Sequence, residues 1–513
     1  MSYPTVLSAL IAALAIFWTA RQRTRSTIKN IVGPPSPSWI FGNMLQLMLS
    51  PQYGTYEFEW SKVYGSVYRI KGCLGRDRIM VSDPIALQYI LNSGMFGFSS
   101  TVQALIHWLF GPRSVMALND VDHKQLRAAL NPAFTAAAVR QCQPVFVRIA
   151  QSLTEQLDNC NELAIDICPL LSGATLKSIT EVVFGCPVED LGADFIENNT
   201  RIVHFTSTRS ASQILFDAIG ARLPVWLLKQ AGHLPTKIFS ALRAQLYFAD
   251  REGWRVVRAK TEAAQQGLET EGDLYGMLLV NAEKPLPAAD IVGQTSLIMI
   301  AGQDTTGNTL LFALVELARN PQFQDRLRAE IHAAIGTDPT NIPYDSMPLL
   351  NAFIKETLRM YPTEPVTDRI ASEDVVLPLS ESVATTAGEH INQIHIRKGE
   401  MVTLAIASYQ RMASRWGADA DVFRPTRWLD GTVSQGEAVG PYANLLSFLG
   451  GPRACLGWRF AVFEMQVFLC ELVGKVSFSL PAEHAVQVKI ATTLMPTNAR
   501  GEKCAFLCVK GVL

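Results

Sequence analysis

The feature that most constrains this chain is one long, largely apolar segment, residues 287–319. Proline opens the segment at Pro287, and Asn320 and Pro321 close it, as expected at helix boundaries. A helix of this length reaches about 50 Å, the full width of a domain. Polar and charged side chains interrupt the apolar run at Gln294, Gln303, Asp304 and Glu316. The segment therefore predicts a buried central helix and not a membrane span.

The remaining sequence predicts a fold that is mainly α with a minor β-sheet region. Long stretches have apolar residues at helical spacing, for example residues 323–335. Two regions predict strands instead: a hairpin within residues 63–81 that turns near Gly72, and a strand region at residues 394–406 that is broken in its middle.

The amino terminus predicts a membrane anchor. Residues 3–20 carry no charged side chain and, as a helix, reach about 27 Å, close to the thickness of a bilayer core. We expect residues 1–20 to form a single transmembrane helix, residues 21–38 a basic, proline-rich hinge, and residues 39–513 one cytosolic domain. A cleaved signal peptide is the alternative, but the stretch lacks a preceding basic region and a small-residue cleavage site.

The overall charge excludes some classes of function. The chain has 45 Lys+Arg and 46 Asp+Glu, a net charge of −1, so no excess of cations is available to neutralise nucleic-acid phosphates. Hydrophobic residues make up 48% of the chain, which supports a large core and excludes intrinsic disorder.

The nine cysteines include one with an unusual setting. They are scattered without CxxC pairs, which fits neither a disulfide framework nor a zinc site. Cys455, however, lies in a glycine-rich loop directly before an apolar helical stretch, residues 458–472. Donor N–H groups and the helix dipole favour a thiolate there, acting either as a nucleophile or as a metal ligand. One protein thiolate is sufficient when a porphyrin supplies the other ligands.

Residues 301–307 of the central segment, Ala-Gly-Gln-Asp-Thr-Thr-Gly, are poor choices for a helix interior. Two interpretations remain open from the residues alone. The glycines could permit a kink or the close approach of another helix. The hydroxyl and carboxylate groups could instead face a bound ligand.

The loop around Cys455 resembles the haem-binding loop of the cytochrome P450 monooxygenases. Five positions carry this resemblance: Phe448, Gly451, Arg453, Cys455 and Gly457. Four further matches follow the family's order along the chain: His123 with Arg127, residues 301–306, Glu356 with Arg359, and residues 423–428. The resemblance covers residues 33–472.

The resemblance implies the cytochrome P450 fold behind a transmembrane helix, with residues 39–513 as a haem-thiolate catalytic domain. It implies a monooxygenase that inserts one oxygen atom from O2 into a lipophilic small molecule. The implied cofactor is haem b. Electrons are implied to come from NADPH through a separate NADPH–cytochrome P450 reductase, since the chain contains no GxGxxG nucleotide motif. The pattern most resembles fungal members of the family. This resemblance implies a terpenoid or other secondary metabolite as the substrate and the endoplasmic reticulum as the location.

The resemblance also implies roles for particular residues. Cys455 is the implied axial iron ligand, Asp304 and Thr305 are implied to deliver protons to dioxygen, and Gly302 to leave space for it. The implied partners of the haem propionates are cations: His123, Arg127, Arg369 and Arg453. Glu356, Arg359 and Arg427 are implied to form a buried network that supports the haem loop.

Two other functions are compatible with a haem-thiolate site. One is an isomerase or dehydratase that rearranges a peroxide, which would not need Asp304 and Thr305. The other is a non-catalytic electron-transfer protein. Apolar stretches at residues 96–110 and 223–228 match the family's substrate-contacting loops, although core segments have the same composition.

Overall fold

The computed structural model describes residues 27–158, 160, 164–266, 273–280, 286–337, 342–433, 436, 438–482 and 486–512. The chain divides into two compact units. The first contains the described residues up to Ser99, together with Ser210–Ile219 and Val366–Tyr409; the second contains Ser100–Arg209, Gly220–Pro365 and Gln410–Leu513. Each unit is assembled from segments far apart in the sequence. The single catalytic domain expected over residues 39–513 stays a prediction.

The first unit is built around a five-stranded sheet. Its spatial order is Val67–Lys71, Asp77–Val81, Met401–Ala405, Val366–Ala371 and Phe96–Gly97. The first two strands form an antiparallel hairpin in which Val67 pairs with Val81. A separate two-stranded sheet joins Val375–Ala384 to His390–Ile396. Helices of this unit lie at Met44–Met48, Glu57–Tyr64, Pro84–Asn92, Ala211–Gly220 and Ile406–Tyr409.

Both predicted strand regions are confirmed, with one boundary wrong. A 3-10 turn, Cys73–Gly75, closes the hairpin. The second region contains His390–Ile396 and Met401–Ala405, separated by a turn. The predicted hairpin began too early, because Val63 lies in the helix Glu57–Tyr64, which buries Trp60.

The second unit is mostly helical. Its helices are Ser100–Phe110, Asp120–Leu130, Ala136–Gln141, Gln143–Asp158, Cys168–Phe184, Ala193–Thr206, Val225–Ala231, Lys237–Gln265, Leu274–Val280, Ala288–Val292, Thr295–Arg319, Pro321–Thr337, Pro348–Met360, Ala413–Trp416 and Trp458–Lys475. One sheet has the order Ala164–Asp166, Phe506–Gly511 and Val476–Ser479, and another pairs Gln487–Ile490 with Leu494–Thr497. The mainly α class with minor sheets is therefore confirmed.

The predicted central helix is present but divided. Residues 287–319 form a short helix, Ala288–Val292, and then the helix Thr295–Arg319, which we call the central helix. The break lies at Gly293, a weak helix former. There the side chain of Gln294 donates to the carbonyl of Arg113 at 2.9 Å and accepts from the amide of Val115 at 2.8 Å. These bonds fasten the start of the central helix to a neighbouring loop.

The central helix packs closely against the helix Cys168–Phe184, which we call the flanking helix. From Leu310 to Leu317 every residue of the central helix is buried, so this part has no solvent face. At Gly302 an added Cβ would lie 2.5 Å from Cγ1 of Ile179 on the flanking helix. The missing side chain of Gly302 thus permits the two helices to pack closely. The space for dioxygen that the resemblance implies at Gly302 stays a prediction.

The predicted membrane anchor, residues 1–20, and residues 21–26 of the hinge lie outside the described residues. Across the ranges that are described, none of the helices has both the length and the apolar character that crossing a membrane requires.

Replacing Gly302 with alanine should lower the stability of the protein. The new methyl group would collide with Ile179, a stiff β-branched side chain, and such overpacking costs about 1–3 kcal/mol. Gly336→Ala is the matched control, because an added Cβ there meets nothing within 4 Å. Thermal unfolding should show a lower Tm for Gly302→Ala alone. An equal or higher Tm would contradict the packing role.

Candidate cofactor site

The loop at residues 448–457 is fixed by backbone geometry. The amide of Cys455 donates to the carbonyl of Phe448 at 2.8 Å and so closes the loop. Leu449 and Gly451 have positive φ angles of 54° and 66°, which tighten the turn. The helix Trp458–Lys475, which we call the ligand-loop helix, begins three residues after Cys455. The thiol is therefore held beside the amino terminus of a helix.

The electrostatic setting of Cys455 contains opposing influences. The side chain is reached by solvent, yet protein surrounds it closely enough that burial raises the pKa of its thiol. The backbone N–H of Gly457 and the charge of Arg127 lower that pKa. A hydrogen-bond donor and a cation are thus already in place to stabilise a thiolate when a metal takes it as a ligand.

Three basic side chains gather near this loop: His123, Arg127 and Arg453. His123 lies on the helix Asp120–Leu130 and is only 4% exposed. Burial, followed by the charges of Arg453 and Arg127, lowers its pKa to about 4. The Arg453 guanidinium donates to the carbonyls of Val115 at 3.2 Å and Leu118 at 2.6 Å.

This basic cluster is suited to an anionic ligand. Two arginine charges that depress the pKa of a neighbouring histidine repel added positive charge, so a negatively charged group there relieves the repulsion. Guanidinium groups also bind carboxylates through paired hydrogen bonds. The carboxylates of a haem match this chemistry, and Cys455, a thiol that could bind iron, lies beside the cluster. The residues present therefore fit a haem.

Arg369 belongs to the first unit. It lies on the strand Val366–Ala371, is 5% exposed, and donates to the hydroxyl of Thr367 at 2.9 Å. Its guanidinium lies 4.6 Å from the centroid of the Phe98 ring.

A buried ion network surrounds Glu356, on the helix Pro348–Met360. Glu356, Arg359 and Arg427 are all 0% exposed. Arg359 donates to both carboxylate oxygens of Glu356, at 2.9 and 2.8 Å, and Arg427 donates to one of them at 2.9 Å. The indole N–H of Trp428 donates to the other at 3.0 Å, and Asp419 pairs with Arg427 at 3.0 Å. Each buried charge is thus both paired and hydrogen-bonded.

Gln410 connects this network to the loop that carries Cys455. Its amide nitrogen donates to the carbonyls of Leu358 and Arg359 at 3.0 and 2.8 Å. Its amide oxygen accepts from the backbone of Leu446 at 2.8 Å and from the hydroxyl of Ser447 at 3.1 Å. Phe448, whose carbonyl holds the Cys455 amide, follows directly. Sequence analysis missed Gln410, because no motif spacing singles it out.

The polar residues of the central helix make well-defined contacts. Asp304 forms an ion pair with Lys503 at 3.3 Å, and these side chains are 15% and 14% exposed. The hydroxyl of Thr305 donates to the carbonyl of Ala301 at 2.6 Å. Lys503 is a partner that sequence reasoning did not find, since 199 residues separate it from Asp304.

Gln303 ties the central helix to two neighbours. Its side-chain oxygen accepts from the amide of Asn199 at 2.8 Å, and its nitrogen donates to the hydroxyl of Ser172 at 3.0 Å. The sequence signal that could have predicted these contacts is the presence of a glutamine inside an apolar helix. The turn that carries Asp304 and Thr305 is thus held by side-chain hydrogen bonds as well as by packing.

Helical architecture, a cysteine loop at a helix amino terminus and an adjoining basic cluster together define a haem-thiolate protein. A family model of cytochrome P450 matches residues 32–502. The chain therefore belongs to the cytochrome P450 family. It is an oxidoreductase whose cofactor is haem with a thiolate-bound iron, and members of this family typically receive NADPH electrons through a reductase.

Proteins similar to this chain include members from two fungi. Cytochrome P450 monooxygenase 91 of Postia placenta is 30% identical over 494 residues, which cover 90% of this chain and 90% of that protein. Cytochrome P450 monooxygenase 205 of the same organism is 28% identical over 521 residues, with 97% and 95% covered. Cytochrome P450 monooxygenase claU of Ampulloclitocybe clavipes is 28% identical over 498 residues, with 93% and 90% covered.

Removing the carboxylate of Glu356 should destabilise the protein strongly. Glu356→Ala leaves Arg359 and Arg427 buried without their anion, and breaking a buried pair in this way costs about 3–5 kcal/mol. Glu59→Ala is the control, since its pair with Lys62 is exposed and such pairs contribute about 0–1 kcal/mol. The Tm of thermal unfolding and the haem content should both be lower in Glu356→Ala and unchanged in Glu59→Ala. Equal losses in the two variants would contradict the network's role.

Proposed function

We propose that this protein is a membrane-anchored monooxygenase that inserts one oxygen atom from O2 into a lipophilic small molecule. One observation carries the proposal: Cys455 is held at a helix amino terminus beside a basic cluster that suits haem carboxylates. When bound, the haem supplies the iron chemistry that activates dioxygen, with electrons from NADPH delivered by a separate NADPH–cytochrome P450 reductase. The names of the fungal relatives support the reaction class.

Cys455 is the residue proposed to hold the haem iron, and its surroundings set how well its sulfur holds a negative charge. The N–H of Gly457 and the guanidinium of Arg127 both favour the thiolate. A thiolate held in this way would bind the haem iron and would donate electron density to it. The closed loop from Phe448 to Gly457 keeps the sulfur in one position.

The basic side chains are proposed to hold the haem propionates. Arg127 and Arg453 supply positive charge, and His123, with its pKa near 4, supplies a neutral ring N–H. Arg369 stays a prediction as a further partner, on the ground that a cation matches a carboxylate. Phe448, Gly451 and Gly457 shape the loop around the cofactor.

Asp304 and Thr305 are proposed to move protons toward dioxygen. The Thr305 hydroxyl gives its own hydrogen to the carbonyl of Ala301, so its oxygen is directed to accept a hydrogen bond from water. Lys503 holds the Asp304 carboxylate, and rotation of that carboxylate between lysine and water would connect the helix turn with solvent. Lys503 is thus a positioning residue.

A lipophilic substrate and a membrane location belong to the proposal as well. Residues 1–20 are the proposed anchor, with the catalytic domain on the cytosolic face of the endoplasmic reticulum. Apolar side chains are exposed near the helix Val225–Ala231: Trp226 is 67% exposed, Leu227 42% and Leu223 37%. Such a surface suits contact with lipid. Among lipophilic small molecules, we propose a terpenoid or another secondary-metabolite intermediate as the substrate.

The direct test is turnover of the full chain in vesicles with the reductase, NADPH and ¹⁸O2, on a panel of terpenoids and other lipophiles. A monooxygenase should give a product with one ¹⁸O atom per NADPH consumed. Rearrangement of an organic peroxide into an isomeric product, with no ¹⁸O incorporated from ¹⁸O2 into any lipophile, would contradict the proposal and indicate an isomerase. Reduction of the haem with no product from any lipophile would also contradict it and indicate electron transfer.

Replacing Thr305 with alanine should uncouple turnover. Loss of the hydroxyl removes the acceptor that orders water at the helix, so NADPH electrons leave as hydrogen peroxide, several-fold more per NADPH than in the wild type. Thr309→Ala is the matched control, because the Thr309 hydroxyl donates to the carbonyl of Thr305 as an ordinary helix contact. Peroxide and product are quantified together. Coupled turnover in Thr305→Ala would contradict the proposed role.

Replacing Lys503 with methionine should slow proton delivery, because Asp304 loses the cation that holds its carboxylate. The expected loss of turnover is roughly tenfold to a hundredfold, at or below the lower end of general acid–base effects. The solvent isotope effect on turnover should increase in Lys503→Met. Lys503→Arg keeps the cation and should restore both the turnover rate and the isotope effect. An unchanged isotope effect would assign Lys503 a merely structural role.

A further inference from the structure

Two cysteines outside the cofactor site lie close together in the second unit. Cys168 is the first residue of the flanking helix, and Cys504 lies two residues before the strand Phe506–Gly511. Both are free thiols, and they are only 5% and 7% exposed. The cysteines show no pairing pattern in the sequence, so this proximity is a product of the fold.

The strand register places the two cysteines opposite each other. The strand Phe506–Gly511 pairs antiparallel with Ala164–Asp166, with the first residue of one opposite the last residue of the other. The same register, continued by two residues, sets Cys504 opposite Cys168. Opposite residues in an antiparallel pair have Cα atoms about 4.5–5.5 Å apart. This separation lies within the range of about 4.4–6.8 Å that a disulfide requires.

Hydrogen bonds show that the pairing continues beyond the strand ends. The amide of Ile167 donates to the carbonyl of Ala505 at 3.0 Å. One carboxylate oxygen of Asp166 accepts from the amide of Cys168 at 3.1 Å and from the amide of Ala505 at 2.9 Å. The amides that share this oxygen therefore belong to Cys168 and to the residue directly bonded to Cys504.

The ion pair of Asp304 adjoins this pair of thiols. Lys503, which pairs with Asp304 at 3.3 Å, directly precedes Cys504. Burial, followed by Asp166, raises the pKa of the Cys168 thiol, whereas the charge of Lys503 lowers it, so the ammonium group lies near that thiol as well. Movement of Cys504 toward the flanking helix therefore moves the backbone that carries Lys503.

We propose that Cys168 and Cys504 form a redox-sensitive site, in which hydrogen peroxide oxidises the two thiols to a disulfide and the cross-link weakens the pair of Lys503 with Asp304. Disulfides in cytosolic proteins are typically transient and redox-sensing. The effect on turnover rests on the proposed function, in which uncoupled turnover releases peroxide. Formation of the disulfide does not, because it is measured without substrate or reductase.

One molecule of hydrogen peroxide balances the oxidation. The thiolate sulfur of Cys504 attacks one peroxide oxygen, the O–O bond breaks, and the departing hydroxide takes up the proton that the thiol has released. The sulfur of Cys168 then attacks the sulfur of the resulting sulfenic acid. An S–S bond forms, the S–O bond breaks, and the hydroxyl group leaves as water with the proton of the second thiol. The two thiols lose two electrons, and the peroxide becomes two waters.

Burial controls the rate of this reaction. It raises the pKa of both thiols, and Asp166 adds to the effect, so little thiolate is present at neutral pH. Because the thiolate is the nucleophile, the rate should rise about tenfold for each pH unit. Cys504 lies at the base of a turn in which Arg500 and Glu502 are exposed, and local opening of this turn would admit peroxide.

Peptide mass spectrometry of the full-length holoprotein tests the cross-link. The wild-type protein, without substrate or reductase, is treated with a few equivalents of hydrogen peroxide at pH 7, 8 and 9, and the remaining thiols are alkylated. We expect one pair of peptides joined through Cys168 and Cys504, formed faster at higher pH and separated by dithiothreitol. Absence of this pair at every pH, or peptides joined through other cysteines in its place, would overturn the proposal.

Serine variants provide the matched comparison. Cys504→Ser removes one thiol and should give no joined peptides. Cys508→Ser is the control, because Cys508 lies on the neighbouring strand opposite Ala164 and Ser479 and so has no cysteine across from it. This control should form the cross-link as the wild type does. Loss of the cross-link in Cys508→Ser would overturn the assignment.

Turnover of the oxidised protein tests the effect on Lys503. Protein whose carbon monoxide difference spectrum is unchanged by the peroxide treatment should turn over several-fold more slowly once it is cross-linked. Its solvent isotope effect should be larger, as predicted for Lys503→Met, and dithiothreitol should restore both values. The same treatment should leave Cys504→Ser unaffected.

Two outcomes separate this inference from the proposed function. Equal turnover before and after complete cross-linking would overturn the control of Lys503 by the two thiols. A cross-link between Cys168 and Cys504 in a protein that oxidises no lipophile even when reduced would support the redox-sensitive site and contradict the proposed function.

Discussion

The structure depends on one buried anion, Glu356, held between two guanidinium groups. Three fully buried charges would be strongly destabilising separately, but together each finds partners of good geometry. Through Gln410 this network also fixes the backbone at Leu446 and Ser447, directly before the loop of Cys455. The position of the sulfur therefore rests on hydrogen bonds that lie far from it along the chain.

The chemistry of the second unit follows from how its helices meet. The central helix and the flanking helix approach closely because Gly302 has no side chain, and Gln303 adds hydrogen bonds to neighbouring helices. This leaves the Asp304 carboxylate paired with Lys503 and the Thr305 hydroxyl bonded within its own helix. Close packing and side-chain bonds hold the polar turn, which helix propensity alone would not favour.

Sequence patterns predicted those parts of the fold and site that depend on local spacing. The strand regions, the end of the central helix at Arg319 and the start of the ligand-loop helix at Trp458 follow from apolar periodicity and from proline and glycine. Contacts between distant segments could not be predicted this way. Lys503 beside Asp304 depends on the folded chain, as do the division into two units and the direction in which Gly302 faces Ile179.

The central claim is that Cys455 binds haem iron as a thiolate. The measurement that tests it most directly is the carbon monoxide difference spectrum of the dithionite-reduced protein, recorded for the wild type and for Cys455→Ser. We predict a Soret band strongly red-shifted from that of histidine-ligated haem, present in the wild type and lost in the variant. A band at the histidine-ligated position, or the same red-shifted band in both proteins, would contradict the assignment of Cys455.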